Sequence, residues 1–188
     1  MDAATIITTL TAAFPGALFE PGNASDQPTL IVPRERFHET GAALRDLPAL
    51  RFDVLADVTV VDWWPAEPRF EVVYHLVSTT LEHRLRVKVR LPGDDAHVAT
   101  VRDVWASAGW LEREVWDLFG VVFDGHGDLR RLLMPEDWEG HPLRKDYPVQ
   151  IKMKPKVYAP LQMSEHEFQE KIVADRTVRG GTGEERRR

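Results

Sequence analysis

Residues 83–91 read HRLRVKVRL, and the alternation is unbroken: Leu85, Val87, Val89 and Leu91 fall on one side, Arg84, Arg86, Lys88 and Arg90 on the other. A period of two marks a strand with one buried and one solvated face, the pattern of antiparallel sheets. The four cations then form a solvated face with cross-strand partners such as Glu71, or else a contact for an acidic partner or anionic lipid. Two apolar runs precede this strand, at residues 52–64 and 69–80. The first is separated from the second by the Pro-bounded turn PAEP, and the second from residues 83–91 by a tight turn near Leu81 and Glu82. Together they predict an antiparallel meander.

Before the meander, residues 3–14 form a helix that Pro15 and Gly16 stop; PGNASDQP is a loop, and residues 29–32 a short strand. Pro33 suits the first turn of a second helix, with Phe37, Ala43, Leu44 and Leu47 inward and Arg34, Glu35, Glu39 and Arg45 outward. After the meander, PGDD leads into a helical pair at 98–106 and 110–119, which Gly120 ends as a left-handed cap. In the second helix Leu111, Val115, Leu118 and Phe119 form the stripe that faces the sheet. Glu112, Arg113 and Asp117 are therefore expected to point away from the core, with Arg113 and Asp117 one turn apart and able to pair. Residues 124–148, dense in Gly and Pro, read as an ordered irregular ribbon with one short strand at 132–134.

The fold class expected is α+β: a mixed, largely antiparallel sheet of about four to five strands with helices packed on it, then the ribbon and an extended C-terminal tail. Residues 1–148 form the compact domain and 149–188 the tail, with one short helix near 165–176. Ser164 and Glu167 make a capping box ahead of Phe168, Ile172 and Val173. Residues 179–188, RGGTGEERRR, have nothing to bury.

Composition narrows the function. A chain of 188 residues buries roughly 70% of the surface its unfolded form exposes, enough for one self-sufficient domain. With 43% hydrophobic and 29% charged residues it is an ordinary folded chain. The absence of cysteine removes thiolate catalysis, disulfides, Cys-ligated zinc and iron–sulfur ligation. Net charge is −6, with nine Lys/Arg against six Asp/Glu after residue 149, so an acidic body precedes a basic tail. An acidic body argues against nucleic acid as the main partner. The amino terminus carries Asp2 and no basic segment, unlike a signal peptide, and no apolar run approaches the roughly 18 residues a membrane span needs. The chain is expected to be soluble and cytoplasmic.

The carboxylates Glu112, Glu114 and Asp117 are candidates for acid–base work, but Glu112 and Glu114 lie about 200° apart around a helix and cannot converge on one bond. His126 and His141 with Asp124, Asp128 or Glu139 could hold a metal, yet their spacing matches no ligand motif. No phosphate loop, nucleotide fingerprint or Ser/His/Asp motif is present. What remains is charge interleaved with Trp138, Tyr147, Arg130, Arg131 and Arg144, the composition of a protein interface.

That stretch carries a resemblance. Glu112, Arg113, Glu114, Asp117, Leu118, Phe119, His126, Arg130, Leu132 and Leu133 match in register the signature of the 30-kDa subunit family of respiratory complex I, whose bacterial members are its C subunits. RFEVVYHL and RLRVKVRLP are similar to the family's central strands and EGHPLRKDYP to its closing ribbon, so the likeness spans residues 29–148. Where the family commonly has proline after the signature histidine, this chain has Gly127, which frees the backbone and removes no charge.

The resemblance implies a structural, non-redox subunit in the peripheral arm of a proton-translocating NADH:quinone oxidoreductase. Electrons would pass from NADH through FMN and iron–sulfur clusters to quinone, all held by partner subunits, with no cofactor, metal or catalytic residue in this chain. Its partners would be the D subunit, beside the quinone site, and the neighbouring iron–sulfur subunits. Its place would be peripheral on the cytoplasmic side of a bacterial cell membrane, through the complex. Docking is assigned to Glu112, Arg113, Asp117, His126, Arg130, Arg131, His141, Arg144 and Asp146. Two alternatives stand beside this: the equivalent subunit of a membrane-bound hydrogenase or photosynthetic NDH-type complex, there called the J subunit, and a free-standing carboxylate-dependent enzyme.

Overall fold

The computed structural model describes residues 2–148 and 164–180. Helix α1 (Ala3–Ala13) opens on Asp2, whose carboxylate accepts the Thr5 N–H at 2.9 Å, and buries Ile6 and Leu10. Strands β1 (Glu20–Pro21) and β2 (Thr29–Ile31) follow, then a 3₁₀ turn (Arg34–Arg36) running into α2 (Phe37–Asp46). The meander is β3 (Val54–Asp62), β4 (Phe70–Ser78) and β5 (His83–Leu91). Strand β6 (His97–Ala99), helix α3 (Ala108–Phe119) and strand β7 (Val122–Asp124) complete the body.

The main sheet has the order β1-β2-β5-β4-β3 and is mixed: β3, β4 and β5 are antiparallel, and β2 lies parallel to β5. The expected register of β5 holds. Leu85, Val87, Val89 and Leu91 face Leu76, Tyr74, Val72 and Phe70 of β4, and all eight are buried. Opposite, the cations are partly exposed and paired: Lys88 and Arg90 reach Glu71 at 2.7 and 3.7 Å, and Arg86 meets Asp26 at 2.7 Å. On β3 the register shifts between Leu55 and Asp57, so that Leu55 and Val58 both face inward although three residues apart. α1, α2 and α3 bring Ile6, Leu10, Phe37, Leu44 and Val115 onto this inner face to make one core.

Two expected elements are absent. Residues 98–106 are not a helix: His97–Ala99 pair in parallel with Val122–Asp124, and a single turn, closed by Trp105 N–H to Val101 O at 2.8 Å, leads to α3. Strand pairing takes the backbone groups that a helix would have needed. Residues 132–134 are bends, because a side chain takes their N–H groups before any strand can.

Residues 150–188 form a second unit. Within it α4 (Glu165–Gly180) begins at the expected capping box: Ser164 N–H donates to Glu167 Oε2 at 2.9 Å, and Glu167 N–H to Ser164 Oγ at 3.3 Å. The rest of the tail expected at 149–163 and 181–188 lies outside the described residues.

Candidate functional site

The signature residues converge on one another rather than on a cleft. Asp117, in the last turn of α3, is fully buried. Its Oδ2 accepts three consecutive backbone N–H groups, Leu132, Leu133 and Met134, at 2.9, 2.7 and 2.9 Å, and its Oδ1 takes Arg131 Nη1 at 2.9 Å. Successive N–H groups turned to one anion form a concave nest. Burial pushes the Asp117 carboxyl up, but the Met134 N–H, Arg131 and the two other N–H groups outweigh it and hold it below the ordinary carboxylate range.

The same ribbon caps α3. A helix ends with unpaired carbonyls and a negative dipole end. Here Arg131 Nη1 and His141 Nδ1 donate to Asp117 O, each at 3.0 Å, and Leu143 N–H donates to Leu118 O at 3.1 Å. Arg144 donates to the carbonyls of Phe119 and Gly120. Gly120 adopts φ +73°, and a Cβ there would sit 2.4 Å from the His141 ring, so the cap that the sequence predicts also makes room for the ribbon.

At the other end of α3, Glu112 is equally buried but thinly partnered. Its Oε1 accepts Val101 N–H at 2.8 Å, and Oε2 meets the Thr100 hydroxyl. His126 Nε2 stands 4.0 Å from it while donating to Gly109 O at 3.0 Å; its Nδ1 accepts Asp128 N–H at 3.2 Å, which sets the tautomer. Burial pushes the Glu112 carboxyl up to about 7 despite the Thr100 and Val101 bonds. The Tyr74 hydroxyl is buried with no hydrogen-bond partner among the described residues, and burial first, then the Glu112 charge, pushes its phenol well up.

A third cluster ties the ribbon to the sheet. Buried Arg69, just before β4, forms a fork to Asp62 at 2.9 Å on both oxygens and another to Asp146 at 3.1 and 2.7 Å. Trp64 and Phe70 lie against the guanidinium, each ring centroid 4.8 Å away. Asp62 also accepts the N–H groups of Trp64 and Lys145. Burial raises its carboxyl, but Arg69 and those N–H groups bring it down to about 2.

The structure thus corrects the outward placement of three residues. Glu112 and Asp117 are 0% exposed and Arg113 9%. The helical-wheel expectation fails because the far face of α3 is covered by the turn at 100–105 and by the ribbon, and both bring N–H donors to the carboxylates. Arg113 does not pair with Asp117; its guanidinium donates to the carbonyls of Arg130 and Arg131 at 2.9 and 3.0 Å and lies over Trp110. Of the other expected docking residues, His126 is buried, Arg131, His141 and Arg144 are half-buried in α3's cap, and Asp146 holds Arg69. Arg130 is exposed, paired with Asp128 at 2.6 Å. Sequence reasoning missed Asp62 and Arg69, whose signal is a charge at each end of the turn joining two apolar strands. Among the described residues no group of three or more His or carboxylate side chains could hold a metal ion.

Sheet, clasped helix and ribbon together define an α+β subunit of a respiratory enzyme. The family described as respiratory-chain NADH dehydrogenase, 30 Kd subunit, matches residues 30–152, and the chain belongs to it. It is 46% identical over 143 residues to the second C subunit of the NADH-quinone oxidoreductase of Rhizobium meliloti (strain 1021), covering 76% of this chain and 78% of that one. It is 44% identical over 149 residues to the NADH-quinone oxidoreductase C subunit of Roseiflexus sp. (strain RS-1), covering 79% and 86%. Among solved structures, the trypsin-resistant fragment (1-134) of Nqo5 superposes with a TM-score of 0.57 at 38% identity, covering 69% of this chain and all of the fragment. A chain of the membrane-bound sulfane sulfur reductase, an archaeal respiratory membrane complex, gives 0.67 at 27%, covering 86% and 96%. Among the described residues no helix is long and apolar enough to cross a membrane.

Proposed function

We propose that the chain is a structural subunit of the peripheral arm of a proton-translocating NADH:quinone oxidoreductase, without a redox centre of its own. FMN, iron–sulfur clusters and quinone then belong to partner subunits, chief among them the D subunit, and the chain meets the membrane only through the complex, on the cytoplasmic side. One observation carries this reading: the charged side chains of the signature, Glu114 apart, are engaged in bonds within the chain, most of them tying α3 to its surroundings. A side chain held by several buried hydrogen bonds fixes a surface, and a fixed surface is what a neighbour with exacting geometry needs. Exposed Arg130 and the accessible edge of Asp146 then belong to the docking surface, with the buried residues acting through the shape they hold.

The test is affinity purification of the full-length tagged chain from solubilised membranes, with mass spectrometry of what accompanies it. Flavin- and iron–sulfur-bearing NADH dehydrogenase subunits should copurify with NADH:quinone activity. Hydrogenase or sulfur-reductase subunits in their place would transfer the chain to a related complex. The likeness to the archaeal sulfane sulfur reductase favours that second reading, at lower identity than the NADH-quinone oxidoreductase relatives.

A further inference from the structure

Strand β3 is an edge of the main sheet, and its two halves are treated differently. The first half is guarded. The Trp105 indole donates to Phe52 O just before the strand, the Ser107 hydroxyl donates to Leu55 O, and the bulge between Leu55 and Asp57 bends the edge. The second half has no such cover among the described residues. Trp63 N–H bonds to Arg69 O, so by the alternation of an antiparallel ladder Val61 and Thr59 turn their backbone groups to β4 while Val60 and Asp62 turn theirs outward. Beside them lies an open groove of about 520 Å³ between β3, Phe119 and Leu143, with Trp63 and Trp64 at its end. Trp63, Trp64 and Leu143 are each half exposed or more. The one cation of the groove lining, Lys145, is exposed and has no ion-pair partner among the described residues.

An uncovered edge with large apolar side chains beside it is an aggregation hazard unless something covers it. We propose that the second half of β3 is the seat of an extended segment from a neighbouring subunit, which adds to the sheet as a further strand. The occupant carries apolar side chains at alternate positions, for Trp63, Leu143 and Phe119, and a carboxylate beside them for Lys145. Backbone bonds to Val60 and Asp62 give the attachment, and the groove with its cation gives the selectivity. Asp62 adds no competing charge, since the Arg69 fork already neutralises it. The inference rests on the chain's being a subunit of a larger complex and names the surface through which it docks.

The test compares the full-length chain alone with the same chain in the detergent-solubilised complex. Amide exchange at Val60 and Asp62, fast in the free chain, slows about tenfold or more on assembly. Lys145→Glu leaves the free chain's thermal midpoint unchanged and lowers the yield of assembled complex, and Lys145→Arg restores it. A photo-crosslinker at position 63 reaches another subunit. Unchanged exchange in an intact complex overturns strand addition, and full assembly of Lys145→Glu overturns the charge complement. A crosslink to a second copy, or to this chain's own C-terminal residues, overturns the occupant. If the wild-type chain copurifies with no other subunit, the reading as part of a complex falls as well, which separates the two failures.

Discussion

The two ends of helix α3 make a controlled comparison. Glu112 and Asp117 sit five residues apart on one helix, both wholly excluded from solvent, yet one carboxyl is pushed up to about 7 and the other held below the ordinary range. Burial alone cannot distinguish them. What differs is the donors: Asp117 has three backbone N–H groups and a guanidinium, whereas Glu112 has one N–H and one hydroxyl. A buried carboxylate keeps its charge when enough donors replace the water it lost. The carboxy-terminal end is therefore a charged clasp, and the amino-terminal end a carboxylic acid poised near neutrality.

Substitutions can break this contrast in order of severity. Asp117→Ala strands Arg131 and three N–H groups in the interior and should cost about 3 to 5 kcal/mol by urea denaturation of the full-length chain. A loss below 1 kcal/mol would show that the ribbon holds without the clasp.

The Glu112 end should instead reveal itself through pH. Its folded carboxyl is raised above the ordinary 4.5, so its stabilising contribution is fully present below about 4.5 and is lost as pH rises through about 7. Wild type should lose about 2 to 3 kcal/mol between pH 5 and pH 8 relative to Glu112→Gln, which keeps the shape and cannot ionise. Tyr74, His126, Arg102 and Asp103 face or influence the same carboxyl, so the difference between variant and wild type is the quantity to measure. Parallel stability curves would mean that Glu112 is charged throughout.

Two arginines of the ribbon complete the series. Arg144→Ala uncaps the carbonyls of Phe119 and Gly120 and removes the cation beside Phe70, a loss of about 1 to 2 kcal/mol on the same denaturation assay. Arg130→Ala touches only the exposed pair with Asp128 and should leave the thermal midpoint where it is. Of the two arginines expected at the docking surface, Arg130 alone is then free to serve a neighbour at no cost to its own chain.

What the sequence discloses follows from how local each signal is. The β5 alternation, the Gly120 cap and the Ser164–Glu167 box need only neighbours in the chain to be read, and all three are in place. The inward turn of Glu112 and Asp117 is not local, since it depends on a ribbon folding back over the helix. A helical wheel sends charges outward on the premise that the far side is water. Val98, Val101, Trp105 and Ala108 carry apolar spacings that suit a helix, and only pairing with β7 makes residues 97–99 a strand. Leu132–Leu133–Met134 looks like a strand because its apolar side chains are visible in the sequence and the claim of Asp117 on its N–H groups is not. The Asp62–Arg69–Asp146 cluster joins positions 7 and 77 residues apart, for which no spacing rule exists.

The ribbon's bonds also set a schedule for biosynthesis. Asp62 waits 83 residues for the Lys145 N–H and Arg69 waits 77 for Asp146, while Asp117 receives its donors only once residue 134 has been made. During vectorial synthesis the meander and α3 therefore leave the ribosome with carboxylates still lacking their final donors. The body can close only after residue 147 clears the exit. A nascent chain stalled short of that point is a client for chaperones, because its central helix is still open on the side the ribbon will cover.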